Sequence, residues 1–258
     1  MANQIHPTAV VDPGAELGDG IEIGPYCVIG AGVRLGDGCR LVAHVVVQGP
    51  SEIGPENEFH PFASIGGRTQ AIRYGGEPTR LQIGRGNCFR ESVTINRGNG
   101  PGDATVIGSH NHLLAYAHVG HDCRVGDHCV FSNCGTLGGH VVVEDRVTIG
   151  GLSAVHQFCR LGRFGFIGGC AKVEQDLPPF MLVDGNPACA RGVNSVGMQR
   201  QGLSEETIKR MKAAFKLLYR SGLNTSQAVQ RIEGELGPCP EIGHLLAFIR
   251  ASERGIIH

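Results

Sequence analysis

Leu17-Gly18-Asp19-Gly20-Ile21-Glu22-Ile23-Gly24-Pro25-Tyr26-Cys27-Val28-Ile29-Gly30-Ala31-Gly32-Val33-Arg34-Leu35-Gly36 carries an aliphatic residue followed by glycine every six positions. The phase persists far beyond this stretch. Of the 29 positions reached in steps of six from Ile5 to Val173, all but Ala71, Glu77 and Pro101 are Ile, Val, Leu or Phe. A second register runs four residues behind each aliphatic position and is mostly small: Ala9, Ala15, Cys27, Cys39, Ser51, Ala63, Ala117, Cys123, Cys129, Ser153, Cys159 and Ala171. It precedes the next aliphatic residue by two, so both side chains share one face of a short strand. The glycine after each aliphatic residue lets the chain pass a corner that a side chain would obstruct.

This is the pattern of a hexapeptide β-helix. Each unit is one strand plus a corner, and three units make a triangular coil of about 18 residues. Coils stack at a strand spacing of about 4.8 Å. The pattern lapses over 67–80 and 97–104 and resumes in phase each time, which predicts two loops expelled from the prism. Loops on a rigid scaffold are frequent binding elements. The repeat ends near Asp176-Leu177-Pro178-Pro179-Phe180. Helical periodicity then takes over, with Ser204 as an N-cap before Ile208, Met211, Phe215 and Leu218, and Gly222 as a stop. Val229, Ile232 and Leu236 predict a second helix beginning after Thr225 or Ser226, and Ile242, Leu245, Leu246 and Ile249 a third. The expected organisation is a β-helix over 1–190 and a small helical domain over 191–258.

Composition agrees with that reading. Hydrophobic residues make up 41% of the 258 and charged residues 18%, which excludes a disordered chain. No apolar run is long enough to span a membrane, and the first residues lack the layout of a signal peptide. With 23 Lys and Arg against 24 Asp and Glu there is no global basic field for nucleic acid. Ten cysteines without an export signal point to a reducing cytoplasm. No CxxC pair occurs, and the five cysteines in the inward register read as small buried filler. The flat faces of the prism suit packing about a threefold axis, so a homotrimer is expected.

Twelve histidines are the conspicuous chemical resource. The densest group is Tyr116-Ala117-His118-Val119-Gly120-His121-Asp122. Steps of 18 from His121 reach Gly139 and Gln157, which places the three in one column, roughly 5 and 10 Å apart. His140 and His156 flank that column. A histidine beside a carboxylate suits general-base work, and a bare glycine amide suits an oxyanion. Histidines on adjacent coils also suit zinc, and a polar ladder without chemistry is the third reading. Cys123 points inward and offers no nucleophile.

The chain also resembles a known family along nearly its whole length. The stretches are Gly76-Glu77-Pro78-Thr79-Arg80, Arg90-Glu91-Ser92-Val93-Thr94, Ala117-His118-Val119-Gly120-His121-Asp122-Cys123, Ala154-Val155-His156-Gln157-Phe158-Cys159 and Asp184-Gly185-Asn186-Pro187-Ala188. They are similar to the acyl-carrier-protein-dependent UDP-N-acetylglucosamine O-acyltransferases, which catalyse the first step of lipid A biosynthesis. The resemblance implies a left-handed parallel β-helix, a homotrimer with sites between neighbours, and transfer of an (R)-3-hydroxyacyl chain from acyl carrier protein to position 3 of the sugar. It implies His121 as general base, Asp122 as its support and the Gly139 amide as oxyanion donor, with no cofactor and no metal. Gln70, Arg73, His118, His140 and Gln157 match positions that contact the sugar nucleotide or line the site. Asn194 and Arg200 match positions near the nucleotide or acyl donor. Gly169 matches the position that measures acyl length, and Lys172 is expected to narrow the far end of that groove. Arg160, Arg163, Arg191 and Arg200 are candidates to meet the acidic carrier protein.

Three positions depart from the family pattern: Arg73 stands where Lys is frequent, Ala71 where Asp is usual, and Asn96 where His is usual. A missing carboxylate near the sugar leaves two acceptors open, the 3-hydroxyl sugar and its 3-amino-3-deoxy analogue. The rival functions are a β-helical zinc carbonic anhydrase using His118 and His121, an acetyl-CoA-dependent hexapeptide transferase, and a non-catalytic scaffold.

Overall fold

The computed structural model describes residues 2–258. The aliphatic–glycine clock becomes a left-handed parallel β-helix of very short strands in three sheets of eleven, nine and eight. Gln4 pairs with Glu22 and Glu22 with Arg40, so each regular coil returns the chain to the same column. Glu58 instead pairs with Cys88, and Cys88 with His112, and both steps are longer than a regular coil. The surplus chain forms a longer and a shorter excursion. They leave the prism after the strands Ser64–Gly67 and Thr94–Asn96 respectively. Ala71, Glu77 and Pro101, the exceptions to the aliphatic register, lie within these excursions. From His112↔Val130 onward the regular step returns.

Inside, the aliphatic register forms continuous buried columns. Ile23, Leu41, Phe59, Phe89, Leu113, Phe131, Ile149 and Ile167 are all at most 2% exposed. Each such side chain contributes about 1.5–3 kcal/mol relative to exposure. Phe59 and Phe89 stack at 5.0 Å between centroids, closing the core across the coil from which the longer excursion leaves. Cys27, Cys39, Cys123, Cys129 and Cys159 are buried in the small register. Asn57, Asn87 and Asn111 occupy the same register. The Asn87 and Asn111 amides donate to the preceding asparagine Oδ1 at 2.9 and 2.8 Å, which satisfies polar groups inside the prism.

The corner glycines act through close approach. A Cβ at Gly24 would run into the Val42 carbonyl of the next coil, and one at Gly36 would lie 2.6 Å from Gly54. The left-handed backbone conformation falls two residues later, mostly on residues with side chains. Tyr26, His44, Asp122, His140 and Phe158 adopt φ of 57, 53, 59, 60 and 67°. Each costs on the order of 1–2 kcal/mol, offset at the ring-bearing residues by stacking along the edges. Tyr26 and His44 stack at 5.0 Å, His44 and Phe62 at 5.1 Å.

Past Val173, Met181–Asp184 adds in parallel to Phe166–Ile167 and pairs antiparallel with Cys189–Val193. Four helices follow: α1 Ser195–Arg200, α2 Glu205–Tyr219, α3 Thr225–Glu235 and α4 Pro240–Arg250. Ser204 caps α2, accepting from the Thr207 amide at 3.1 Å. Helix α3 starts earlier than the aliphatic spacing alone indicates. Its cap is Asn224, which forms a capping box with Gln227. Helix α1 has one buried apolar residue, Met198, and so left no periodic trace in the sequence. Buried Asp176 ties the helices to the prism, accepting from the Arg160 amide at 2.8 Å and Ser252 Oγ at 2.7 Å. Among the described residues no helix is long and apolar enough to cross a membrane.

Candidate active site

The strand His118–Val119 ends at a corner between two sheets, where Gly120, His121 and Asp122 turn the chain. Val119 points into the core, so His118 points out. The left-handed φ at Asp122 folds its carboxylate back along the turn, and Asp122 Oδ2 lies 2.7 Å from His121 Nδ1. The shorter excursion returns to hold this carboxylate. The Asn99 amide donates to Asp122 Oδ1 at 3.1 Å, and the Asp122 amide donates to Thr105 Oγ1 at 2.9 Å. With Nδ1 carrying the proton toward Asp122, Nε2 of His121 is left as an acceptor.

Gly139 stands on the next coil, beside that acceptor. A Cβ there would lie 2.6 Å from both Nε2 and Cε1 of His121, so only glycine permits the approach. The Gly139 amide donates to no protein group among the described residues. Its place in the repeat explains why. Amides two residues after the inward aliphatic position do not join the ladder. At some corners that position is proline, as at Pro25, Pro55 and Pro61, at some its amide is taken by a side chain, as the Asp127 amide donates to Asp145 Oδ1 at 2.9 Å, and at others, such as Ala115 and Asn133, the amide has no protein partner among the described residues. At Gly139 the N–H is free.

His140 stacks on Phe158 at 4.6 Å, meets the His121 ring edge-on at 5.0 Å, and puts Nε2 3.5 Å from Asp122 Oδ2. His118 Nδ1 is 2.7 Å from Thr94 Oγ1. Burial, reinforced by the neighbouring His121, holds the His118 imidazole below the usual histidine range. Gln157 is exposed on the following coil, and its carbonyl lies 3.0 Å from His156 Nδ1. His121, Gly139 and Gln157 therefore share one edge of the prism. Cys123 is buried behind them, and burial pushes its thiol up to about 12, which removes it as a nucleophile. His121, Asp122 and His140 could together contact a cation, their ligating atoms lying within 4.8 Å of one another. His118 is outside that trio.

A depressed histidine pKa has a defined effect on stability. The unfolded chain binds the His118 proton below about pH 6.5, whereas the folded chain resists it. Stability is thus complete above that pH and declines as pH falls below it. In urea unfolding at pH 7 and pH 5, His118→Gln is expected to lose less midpoint than the parent chain; equal losses would contradict the assignment.

The other expected residues lie elsewhere on the same chain. Gln70 and Arg73 are exposed on the longer excursion, beside Arg68, Thr69 and Tyr74. Asn96 is buried at the base of that excursion and donates to the Arg68 carbonyl at 2.9 Å. Asn194 caps α1 through Gly197, donates to the Phe164 carbonyl at 2.9 Å, and with Arg200 borders a hollow that also includes His110, His128 and Arg146. That hollow lies along a different edge from His121. His118, Thr136, Ala154 and Lys172 form one outward row on the nine-stranded sheet, running away from His121. Lys172 Nζ is held 2.6 Å from Glu174 Oε1, and Gly169 is exposed at the sheet's other border. Arg160 lies over the Phe248 ring at 4.4 Å and donates to the Ala251 carbonyl, which commits it to holding α4. The residues that composition did not reveal are Thr94, Asn99 and Thr105. The shorter excursion separates Thr94 from His118 and carries Asn99, which upsets the regular arithmetic of the coil, whereas Thr105 lies one regular coil before the Asp122 turn.

Comparison with known proteins agrees with this architecture. The family model described as Udp N-acetylglucosamine O-acyltransferase, domain 2, matches residues 176–257, and the bacterial transferase hexapeptide model matches 4–37 and 104–139. The acyl-[acyl-carrier-protein]–UDP-N-acetylglucosamine O-acyltransferase of Halorhodospira halophila is 44% identical over 255 residues, covering 98% of this chain and 99% of that protein. The structure of LpxA from Acinetobacter baumannii matches with a TM-score of 0.95 and 44% identity, covering 98% of this chain and 99% of that one. LpxA of Bacteroides fragilis, a UDP-N-acetylglucosamine acyltransferase, matches with a TM-score of 0.95 and 36% identity over 99% of this chain and all of that one. On identity sustained from end to end, together with the prism, its helical end and the His121 corner, the chain belongs to the UDP-N-acetylglucosamine O-acyltransferase family.

Proposed function

We propose that the chain moves an (R)-3-hydroxyacyl group from acyl carrier protein to the position-3 hydroxyl of the sugar of UDP-N-acetylglucosamine, the first step of lipid A biosynthesis, in the cytoplasm. The observation that carries this is the free Gly139 amide set against the acceptor nitrogen of a histidine whose other nitrogen is held by a carboxylate. His121 Nε2 takes the hydroxyl proton as the sugar oxygen attacks the thioester carbon. The oxyanion that forms is met by the Gly139 N–H. Collapse breaks the C–S bond, and the imidazolium returns its proton to the departing thiolate. Asp122 stabilises the imidazolium, and Asn99 keeps Asp122 in place.

Gln70, Arg73, His118, His140 and Gln157 bind the sugar nucleotide, and Asn194 and Arg200 the nucleotide or the donor. The acyl chain follows the outward row from His118 toward Lys172, with Gly169 at its border. The separation of the His121 edge from the Asn194–Arg200 edge supports a homotrimer in which each site draws on two subunits. So does the column of exposed Tyr26, Phe62, Tyr116 and Leu152 along a single edge. Ala71, which brings no carboxylate to the longer excursion, favours the 3-amino-3-deoxy sugar as a second acceptor.

The test is mass spectrometry of product made from carrier-bound 3-hydroxyacyl chains of several lengths, with both acceptors and with acetyl-CoA as competing donor. An O-acyl product from the carrier donor is expected. Predominant amide product moves the acceptor to the amino sugar, and transfer from acetyl-CoA alone, or none, overturns the proposal.

A further inference from the structure

Away from the His121 corner, the outward face of the eleven-stranded sheet gathers a second set of ligating side chains. Glu58 and Cys88 are direct partners on adjacent coils. His60 follows Glu58 on the same side of the chain, past inward Phe59. One ligating atom from each of Glu58, His60 and Cys88 lies within 4.8 Å of the others, and all three residues are half-buried. The histidine is already aimed. Its Nε2 is 3.5 Å from Glu58 Oε1, while its Nδ1 faces Glu91 Oε1, also at 3.5 Å. Glu91 is gripped in turn by Arg90, through Nε at 3.1 Å and Nη2 at 3.0 Å. Arg40 Nη1 holds Glu58 Oε1 at 2.9 Å, and the other carboxylate oxygen remains to coordinate. A carboxylate near one ring nitrogen, a second carboxylate near the other and a thiol within reach match the outer arrangement found around metal-bound histidine.

We propose that Glu58, His60 and Cys88 bind one zinc-class divalent cation, with solvent completing a tetrahedral site. A thiolate with an imidazole selects zinc or a chemically similar ion over calcium or magnesium, which take oxygen ligands. On binding, the Cys88 S–H bond breaks and a sulfur–metal bond forms; the proton leaves to solvent, His60 enters neutral, and no electron is transferred. The ion takes no part in acyl transfer. It ties together the two strands that the longer excursion drives apart in sequence, at the coil where the prism is least continuous.

The test uses the full chain, stripped by chelator and kept reduced with a phosphine, titrated with Co²⁺ and then back-titrated with Zn²⁺. One equivalent per chain at micromolar concentration is expected, with the near-ultraviolet absorption of a cobalt–thiolate bond. That absorption is expected to vanish in Cys88→Ser, to need at least tenfold more metal in His60→Ala, and to persist in His121→Ala, which removes the other candidate trio. At hundredfold excess over Kd, Zn²⁺ is expected to raise the Tm of the parent chain by about 5–10 °C and that of Cys88→Ser by much less. Acyl transfer by Cys88→Ser, compared with the parent, reports that the variant is folded. Absence of a thiolate band, or its survival in Cys88→Ser, overturns the site.

Discussion

Replacing His121 by alanine is expected to lower the rate of acyl transfer by about 10²–10⁴-fold, the usual contribution of a positioned general base. The loss is expected in kcat, since Gly139, Gln157 and the outward row toward Lys172 all remain to bind donor and acceptor. Stability is expected to change little. The ring lies in a corner rather than in the core, and the Asp122 carboxylate that it leaves behind still accepts from the Asn99 amide. Single-turnover transfer alongside urea unfolding separates the two effects. Activity comparable with the parent chain would leave another group to take the acceptor's proton and would refute the mechanism.

Gly139→Ala is expected to be almost as damaging, although it deletes nothing. Alanine keeps the N–H, but its Cβ needs the space that His121 occupies, 2.6 Å from Nε2. The ring or the corner must shift, and a displacement near 1 Å at a reacting group costs about 10²-fold in rate. A double-mutant cycle gives the decisive reading. If the alanine methyl acts by moving His121, adding Gly139→Ala to His121→Ala costs little more, because the group it would displace is already gone. Additive losses would instead mean that the methyl blocks the substrate directly.

How much of this could be read beforehand depends on whether a feature follows the six-residue phase. The core columns and the buried cysteines follow it because both excursions return the chain in phase, and the shared edge of His121, Gly139 and Gln157 follows it because no excursion interrupts the chain between 105 and 173. The Thr94–His118 contact does not, since the shorter excursion sets those partners farther apart in sequence than one uninterrupted coil. Nor does the hold of Asn99 on Asp122, which depends on the path of an excursion without periodicity. The aliphatic–glycine pairs marked the corners correctly, yet the left-handed residue comes two places later. It is Asp122 or His140 rather than glycine; His140 stacks on Phe158 of the next coil, and Asp122 holds His121. In the helical segment, α2 announced itself through its cap and apolar stripe, whereas α1 is too short and too little buried to do so.

The two ends of the prism are unequal. Behind Val173 an antiparallel hairpin and four helices cover the last rung, fastened by Asp176 and Arg160. At the other end the first rung, Gln4–Ile5, Val10–Val11 and Glu16–Leu17, has pairing on one side only among the described residues. Parallel rungs are templates for further rungs, so the helices serve as a stopper, limiting by covalent connection what could otherwise extend as a filament. With only one open edge left, two chains could meet head to head, but no filament could grow from the pair.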